Sequence, residues 1–346
     1  MSVRVGVIGL GMGKYHARAY QACKDAELVA LCDLDEERLQ QMHAQYPQAR
    51  IYTDYREMFA DGGLDAVSVA VPNYLHAEVS IAAMRAGLHV LCEKPMALNS
   101  AQAEEMLRVS QETGRKLMIH LNYRFCTASQ FLKRHVEEGH LGRIYYAQTR
   151  WLRARGIPWR GWFSRKELSG GGPLIDLGVH RLDLALWLMG YPRPLTVSAS
   201  AFGSLGARLA EEKGVPYDVE DLVAAHIRLE GGIAMTLEVS WAGGTDKREE
   251  MHTGIYGVQG AAILRNRNEG YDFEALALQD VAGHLTALEP RVFPPSSTAI
   301  DHFVACILED RAPEPSASQG LFLMRLIEAI YRSAEREREI ALSWQD

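Results

Sequence analysis

The sequence predicts an α/β protein in two parts, a mostly parallel βα sheet followed by an α+β half with a large, mainly antiparallel sheet. Three observations carry this. Between Val3 and about His120, short apolar runs alternate with helix-length amphipathic stretches, the texture of consecutive βα units. After about Leu121 longer strand-like runs take over, and Gly231-Gly232 separates two of them by two residues, a hairpin signal that implies antiparallel pairing. The 346 residues are enough for two ordinary cores. The division falls at 1–121 and 122–346, with room for the last helices to pack back on the first part.

In chain order, Val3–Ile8, Leu28–Cys32, Ala66–Val71, His89–Cys92 and Lys116–Ile119 read as strands of the first part. Helices are expected near Lys14–Lys24, Glu36–Tyr46, Leu75–Ala86 and Ala101–Thr113, with Ser100 as a cap of the last and Gly87 as a stop after Ala86. In the second part a helix near Ser129–Glu138 precedes the strand candidates Arg143–Trp151, Thr196–Phe202, Leu222–Glu230, Ile233–Trp241 and Gly260–Asn266. Ile300–Leu308 and Leu321–Glu335 read as closing helices, the second amphipathic.

Composition narrows the function classes. A net charge of −7 argues against nucleic acid or an anionic membrane as partner of the whole molecule. Five scattered cysteines lack metal-type spacing, and Cys32 and Cys92 sit inside apolar runs, so they read as reduced core residues and no metal is expected. Met1-Ser2-Val3-Arg4 enters the first strand directly and no apolar run approaches membrane-spanning length, which points to the cytoplasm.

The first βα junction, Val5-Gly6-Val7-Ile8-Gly9-Leu10-Gly11-Met12-Gly13-Lys14, is a strand entering a glycine-rich turn. Such a turn lets backbone approach a pyrophosphate, and the helix N-terminus offers N–H groups to the anion. Gly9, Gly11, Met12 and Gly13 are therefore cofactor candidates, although the third glycine comes early for the usual fingerprint. Asp33, at the end of the second strand, can accept from ribose hydroxyls and repel a 2′-phosphate, which favours NAD over NADP. The plainer reading of Asp33 is a helix cap, a duty that Asp35 serves better. No arginine is read beside Asp33. Pro72 and Asn73 form a turn after the fourth strand, with Asn73 placed for the nicotinamide ribose and His76 packed under the cofactor. Glu93-Lys94-Pro95 leaves the His89–Cys92 strand at its carboxyl end, where α/β sheets bind ligands; by itself Glu93-Lys94 also reads as a solvated pair.

Beyond residue 170, Gly170-Gly171-Gly172 reads as a flexible loop, Pro173 as a first-turn residue, and Asp176 and His180 as neighbours on one helix face. An arbitrary surface pair would look the same, but Leu174, Ile175, Leu177 and Val179 make this helix largely buried. A buried Asp and His together call for a purpose. Histidine oriented by carboxylate can take a hydroxyl proton as hydride leaves the same carbon, and lysine can hold the oxygen. Asp183 reads as a structural acceptor. The stretch Arg150–Lys166 carries six basic residues and no acid, interleaved with Trp151, Trp159, Trp162 and Phe163. It suits an anionic sugar derivative, held by Arg160 and Trp162, and equally a subunit interface.

Taken together, the glycine turn, Asp33, Val-Pro-Asn-x-x-His at 71–76, Glu-Lys-Pro at 93–95 and the Gly170–His180 stretch resemble the Gfo/Idh/MocA oxidoreductases, the glucose-fructose oxidoreductase and inositol dehydrogenase family. The likeness covers the whole chain, including Asp218–Asp221, Gly257–Gly260 and Arg325–Ala334. It implies a Rossmann NAD-binding domain and a substrate domain whose sheet mediates a homodimer or homotetramer. It also implies catalytic roles for Lys94, Asp176 and His180, with Glu93 and Lys94 near the cofactor and Tyr123 and Arg124 near nicotinamide and substrate. The base remains open between His180 and Lys94. The expected activity is NAD-dependent oxidation at a secondary hydroxyl of a sugar, inositol or derivative. An NAD-dependent glycosidase and a non-catalytic dinucleotide sensor are the competing classes, and intact Lys94, Asp176 and His180 weigh against the sensor.

Overall fold

The computed structural model describes residues 2–159, 161–288 and 297–344. The chain divides into two units, Met1–Leu121 with Ser297–Met324, and Asn122–Ser296 with Arg325–Asp346. This places residues 297–324 with the first part of the chain.

Unit 1 runs β1 (Val3–Ile8), α1 (Leu10–Ala22), β2 (Ala26–Cys32), α2 (Glu36–Gln45), β3 (Arg50–Tyr52), α3 (Tyr55–Ala60), β4 (Ala66–Val69), α4 (His76–Arg85), β5 (His89–Cys92), α5 (Ser100–Thr113) and β6 (Leu117–Ile119). The sheet order is β3-β2-β1-β4-β5-β6, with every pairing parallel. Strand order reverses between β1 and β4, the crevice where such sheets take a dinucleotide. The strands are apolar because helices cover both faces, and Val5, Val7, Val67, Val90, Leu91 and Cys92 are fully buried. The cap of α5 is Asn99, whose side chain accepts from the Gln102 N–H at 2.9 Å, and Ser100 is the first helical residue.

Unit 2 runs α6 (Thr127–Glu137), β7 (Ile144–Arg153), α7 (Lys166–Ser169), a π turn (Leu174–Gly178) continuous with α8 (Val179–Leu188), β8 (Pro194–Phe202), α9 (Ser204–Lys213), β9 (Leu222–Leu229), β10 (Ile233–Ser240), β11 (Glu249–Gly257), β12 (Gly260–Arg267), β13 (Asp272–Val281) and β14 (His284–Leu288). Two helices follow, α10 (Ala299–Leu308) in unit 1 and α11 (Ala317–Arg336), whose residues are shared between the units, before β15 (Ile340–Ala341). Among the described residues the unit 2 sheet has nine strands in the order β14-β13-β12-β11-β7-β10-β9-β8-β15. Only β7 and β10 pair in parallel; the hairpin at Gly231-Gly232 joins β9 to β10 antiparallel.

The sequence reading omitted β3 in unit 1 and β11, β13, β14 and β15 in unit 2, and β11 shows why. It opens on Glu249-Glu250, which reads as a loop until its partner is known. On β7, Arg153 stands opposite Glu249 and meets it at 2.8 Å, and Arg150 meets Glu250 at 2.7 Å. Opposite charges across two strands make an acidic start compatible with a sheet.

Candidate active site

The glycine turn opens α1 directly after β1. Gly9 has φ +84°, and a Cβ there would lie 2.6 Å from the Ala70 carbonyl oxygen, so a side chain would drive this turn off the loop that leads to Pro72. Gly13 sits against Val7, where a Cβ would come within 2.6 Å of Cγ1. It therefore does the helix-on-strand packing of a third fingerprint glycine, despite its early position. Around Gly11 a Cβ would meet nothing within 4 Å, and Gly11 and Met12 are exposed. An open, glycine-lined helix start at the reversal of a parallel sheet fits a dinucleotide pyrophosphate.

Asp33 is 9% exposed and fixed from three sides. Oδ2 accepts the Leu10 N–H at 2.6 Å and Oδ1 the Asp35 N–H at 2.9 Å. The third partner corrects the sequence reading: Arg38, in the first turn of α2, reaches Asp33 Oδ2 at 3.1 Å and Asp35 at 2.9 Å. An arginine does stand beside Asp33, paired with two carboxylates. Asp33→Ser is therefore expected to release Arg38 and to shift the NAD:NADP ratio of kcat/KM toward NADP by about 10–10²-fold, the scale of removing a like-charge clash. Steady-state kinetics with both cofactors checks it, and an unchanged ratio would separate Asp33 from cofactor choice.

Pro72 precedes a single 3₁₀ turn, Asn73–Leu75, in which Asn73 is buried. His76 is 1% exposed, with Nδ1 2.7 Å from the Pro95 carbonyl and Nε2 2.9 Å from the Val71 carbonyl. Both ring nitrogens face main-chain carbonyls, and burial holds the pKa below its ordinary value, so the neutral ring donates to one of the two. Rather than a cofactor ligand, His76 is the tie between the Pro72 turn and the Glu-Lys-Pro loop. Glu93 also differs from its expected role. Its carboxylate turns inward, 2.8 Å from His16 Nε2 and from His120 Nδ1, and it is 9% exposed. Lys94 follows it at the carboxyl end of β5, and its main-chain N–H donates to Glu93 Oε2 at 3.1 Å.

In unit 2, the Gly170–Gly172 loop is pinned rather than flexible. Glu220 accepts the Gly172 N–H at 2.9 Å and the Leu174 N–H at 3.1 Å, and the Tyr331 hydroxyl donates to it at 2.9 Å. Desolvation raises the Glu220 pKa while these donors oppose the rise. A Cβ on Gly171 would fall 2.0 Å from the Tyr331 hydroxyl oxygen. Asp176 lies within the π turn, where its Oδ2 accepts from Trp241 Nε1 at 2.9 Å. His180 is 7% exposed in the first turn of α8. Its ring meets Tyr123 edge-on with centroids 4.9 Å apart, and Trp151 at 5.9 Å. Tyr123 is itself 8% exposed, and burial pushes its phenol above the usual value. It walls His180 and is a packing partner first.

Arg124 is not available to a substrate in this arrangement. It is 1% exposed, and its Nε donates to Asp183 Oδ2 at 2.9 Å, with Nη2 on Oδ1. Asp183 is the structural acceptor the sequence suggested. The basic stretch is likewise largely spent, since Arg150 and Arg153 pair with Glu250 and Glu249, and Arg155 donates to the Gly243 carbonyl at 3.0 Å. The two ion pairs offset part of the local charge that suggested an anionic substrate. Arg160 lies outside the described residues. Trp162 stacks on Phe163 at 3.9 Å, and Phe163 meets Trp241, the donor to Asp176.

The residues that hold the candidate site residues without a local sequence signal are His16, His120, Glu220, Trp241 and Tyr331, whose partners are distant in the chain. Arg38 had one, five residues after Asp33 at a helix start.

A glycine turn at the reversal of a parallel sheet, an acid closing β2 and a lysine leaving β5 define a dinucleotide-dependent oxidoreductase. Residues 3–121 match the oxidoreductase family with an NAD-binding Rossmann fold, and residues 129–263 match the GFO/IDH/MocA C-terminal domain. The chain belongs to the Gfo/Idh/MocA family and is an NAD-binding oxidoreductase. It is 33% identical over 350 residues to D-glucoside 3-dehydrogenase of Escherichia coli (strain K12), covering 98% of this chain and 97% of that protein. With myo-inositol 2-dehydrogenase of Thermotoga maritima it shares 27% identity over 348 residues, covering 98% of each. The crystal structure of aldose-aldose oxidoreductase from Caulobacter crescentus, complexed with glycerol, superposes with a TM-score of 0.84 at 27% identity, covering 99% of this chain and 100% of that one.

Proposed function

We propose that this protein oxidises a secondary hydroxyl of a sugar, cyclitol or close derivative, passing the hydride to NAD. The observation that carries the reading is Lys94 at the ligand end of β5 in unit 1; Asp176 and His180 share one helical run within unit 2. NAD, when bound, supplies the hydride acceptor. Gly9, Gly11 and Met12 hold its pyrophosphate, Asp33 its adenosine ribose, and Asn73 and Lys94 serve the nicotinamide end. Lys94 holds the reacting oxygen and stabilises its developing negative charge. The hydroxyl proton passes to His180, kept in orientation by Asp176, or to Lys94. Trp162 and Tyr123 contribute apolar faces of the kind that sugar rings pack against.

Incubation of the protein and NAD with a panel of sugars, glucosides, inositols and sugar acids, followed by nicotinamide absorbance, tests the proposal. D-glucosides head the panel because of the Escherichia coli relative. Accumulation of NADH is the expected result. Glycoside cleavage without net NADH would move the protein to the glycosidase class instead.

The homo-oligomer and the compartment belong to the same reading. Leu195 and Phe202 on β8, with Leu285 and Leu288 on β14, are exposed apolar residues of the unit 2 sheet, which supports burial of this sheet against a second copy. The five cysteines are free thiols, in keeping with a reducing cytoplasm. Among the described residues no helix is long and apolar enough to cross a membrane.

A further inference from the structure

Within unit 1 a single hydrogen-bonded chain runs through five side chains and ends at the main chain of Lys94. Glu93 Oε1 lies 2.8 Å from His16 Nε2 and from His120 Nδ1, and Oε2 accepts the Lys94 N–H at 3.1 Å. His16 Nδ1 is 3.0 Å from Ser68 Oγ, which is 2.8 Å from the Tyr20 hydroxyl. Ser68 and Tyr20 are fully buried, and His16 is 2% exposed. Burial works to raise the Glu93 pKa, but His120 and then His16 outweigh it and hold the carboxyl well below its usual range. Burial also lowers the pKa of His16.

An ionised Glu93 and a neutral His16 fix which atom donates in each of these hydrogen bonds. An ionised Glu93 only accepts, so His16 Nε2 and His120 Nδ1 both donate to it. His16 Nδ1 then accepts from Ser68, and Ser68 accepts from Tyr20. The ligand atoms of His16, Glu93 and His120 lie within 4.8 Å of one another, a spacing a divalent cation also satisfies. The complementary donors and acceptors account for the cluster without one.

We infer that His120 is a positioning residue for Lys94, acting through Glu93. The lysine stem is flexible, so the accuracy of its ammonium depends on the backbone from which it springs. That backbone is held by Glu93 Oε2, and the Glu93 carboxylate is held in turn by one imidazole from α1 and one that follows β6. His16 is locked into the core by Ser68. His120, with its side chain 17% exposed, is the holding group that can be exchanged without opening the core. Removing it leaves the carboxylate anchored on one side only. The inference rests on the assignment of Lys94 to the reacting hydroxyl.

The test compares His120→Leu, His120→Asn, Lys94→Ala and the double variant His120→Leu/Lys94→Ala, each as the full chain. The Asn Nδ2–H takes the place of the imidazole Nδ1–H. His120→Leu should lower kcat about tenfold, with KM and NAD affinity nearly unchanged, since small misplacements of a reacting group cost this much or more. His120→Asn should restore most of the loss, and the double variant should be no slower than Lys94→Ala, because the two residues act as one unit. A substrate-independent readout is acetylation of Lys94 by acetic anhydride, measured by peptide mass spectrometry against Lys14 and Lys24. Its relative rate should change in His120→Leu and return in His120→Asn.

Normal kcat and normal Lys94 labelling in His120→Leu would overturn the inference. So would a loss that adds fully to that of Lys94→Ala, a lower melting temperature with unaltered kcat, or stoichiometric metal in the purified protein that His120→Leu removes. Near-normal kcat in Lys94→Ala would instead remove Lys94 from the mechanism, an outcome that separates failure of the functional reading from failure of the His120 inference alone.

Discussion

Lys94→Ala is expected to lower kcat by about 10²–10⁴-fold, the usual worth of proton transfer at a reacting oxygen, and to leave NAD affinity close to that of the parent protein. Lys94 sits just beyond β5, in a loop tied down by Glu93 and by the His76 bond to the Pro95 carbonyl. The residues proposed for pyrophosphate and adenosine ribose, Gly9, Gly11 and Asp33, belong to the first two βα units and are untouched by the change. His180→Ala carries the same expectation. His180 is buried between Tyr123 and Trp151, so the alanine variant needs a melting curve beside its kinetics. Cofactor titration and steady-state rates on the two variants decide the matter, and whichever residue can be removed with kcat preserved is not part of the chemistry.

The largest loss of stability is expected from Arg124→Ala. Arg124 and Asp183 form an ion pair with each side chain 2% exposed, and the Tyr191 hydroxyl also donates to Asp183. Truncating the arginine strands a buried carboxylate, which costs about 3–5 kcal/mol. Replacing both partners with apolar residues, Arg124→Met with Asp183→Leu, should recover most of that cost, because the penalty comes from the uncompensated charge more than from the lost attraction. Urea unfolding of the single and double variants measures both terms. A single variant within about 1 kcal/mol of the parent, the scale of exposed pairs, would mean that the pair is solvated in solution.

What the sequence revealed and what it hid follow from the range of the interactions. The parallel sheet was legible through its central strands, which are apolar on both faces, and its longer helices, which carry their own periodicity; the short β3 and α3 were not. Lys94, Asp176 and His180 were legible because their motifs are contiguous. Hidden were features whose logic needs a partner far along the chain: Glu249 and Glu250 look like a loop until Arg153 and Arg150 stand across from them, and Arg124 looks like a substrate ligand until Asp183 is placed against it. The same holds for His16 and His120, separated from Glu93 by 77 and 27 positions. Arg38 is a different case. Its spacing from Asp33 was available, but a helix-start arginine is ordinarily solvated and was passed over.

The π turn makes the length of the Pro173–Leu188 run a quantity that substitution alone cannot tune. Val179 donates to the Leu174 carbonyl, five positions back, so the run holds one residue more than a regular helix between the same ends. Deleting that residue would restore regular geometry with both ends of the run left in place, whereas winding the same residues as a regular α-helix would swing everything upstream, Asp176 included, by about 100° around the axis relative to His180. The turn therefore takes up one residue without rotating the faces on either side of it, so a relative that lacks one residue within 174–178 and is regular there presents the same faces.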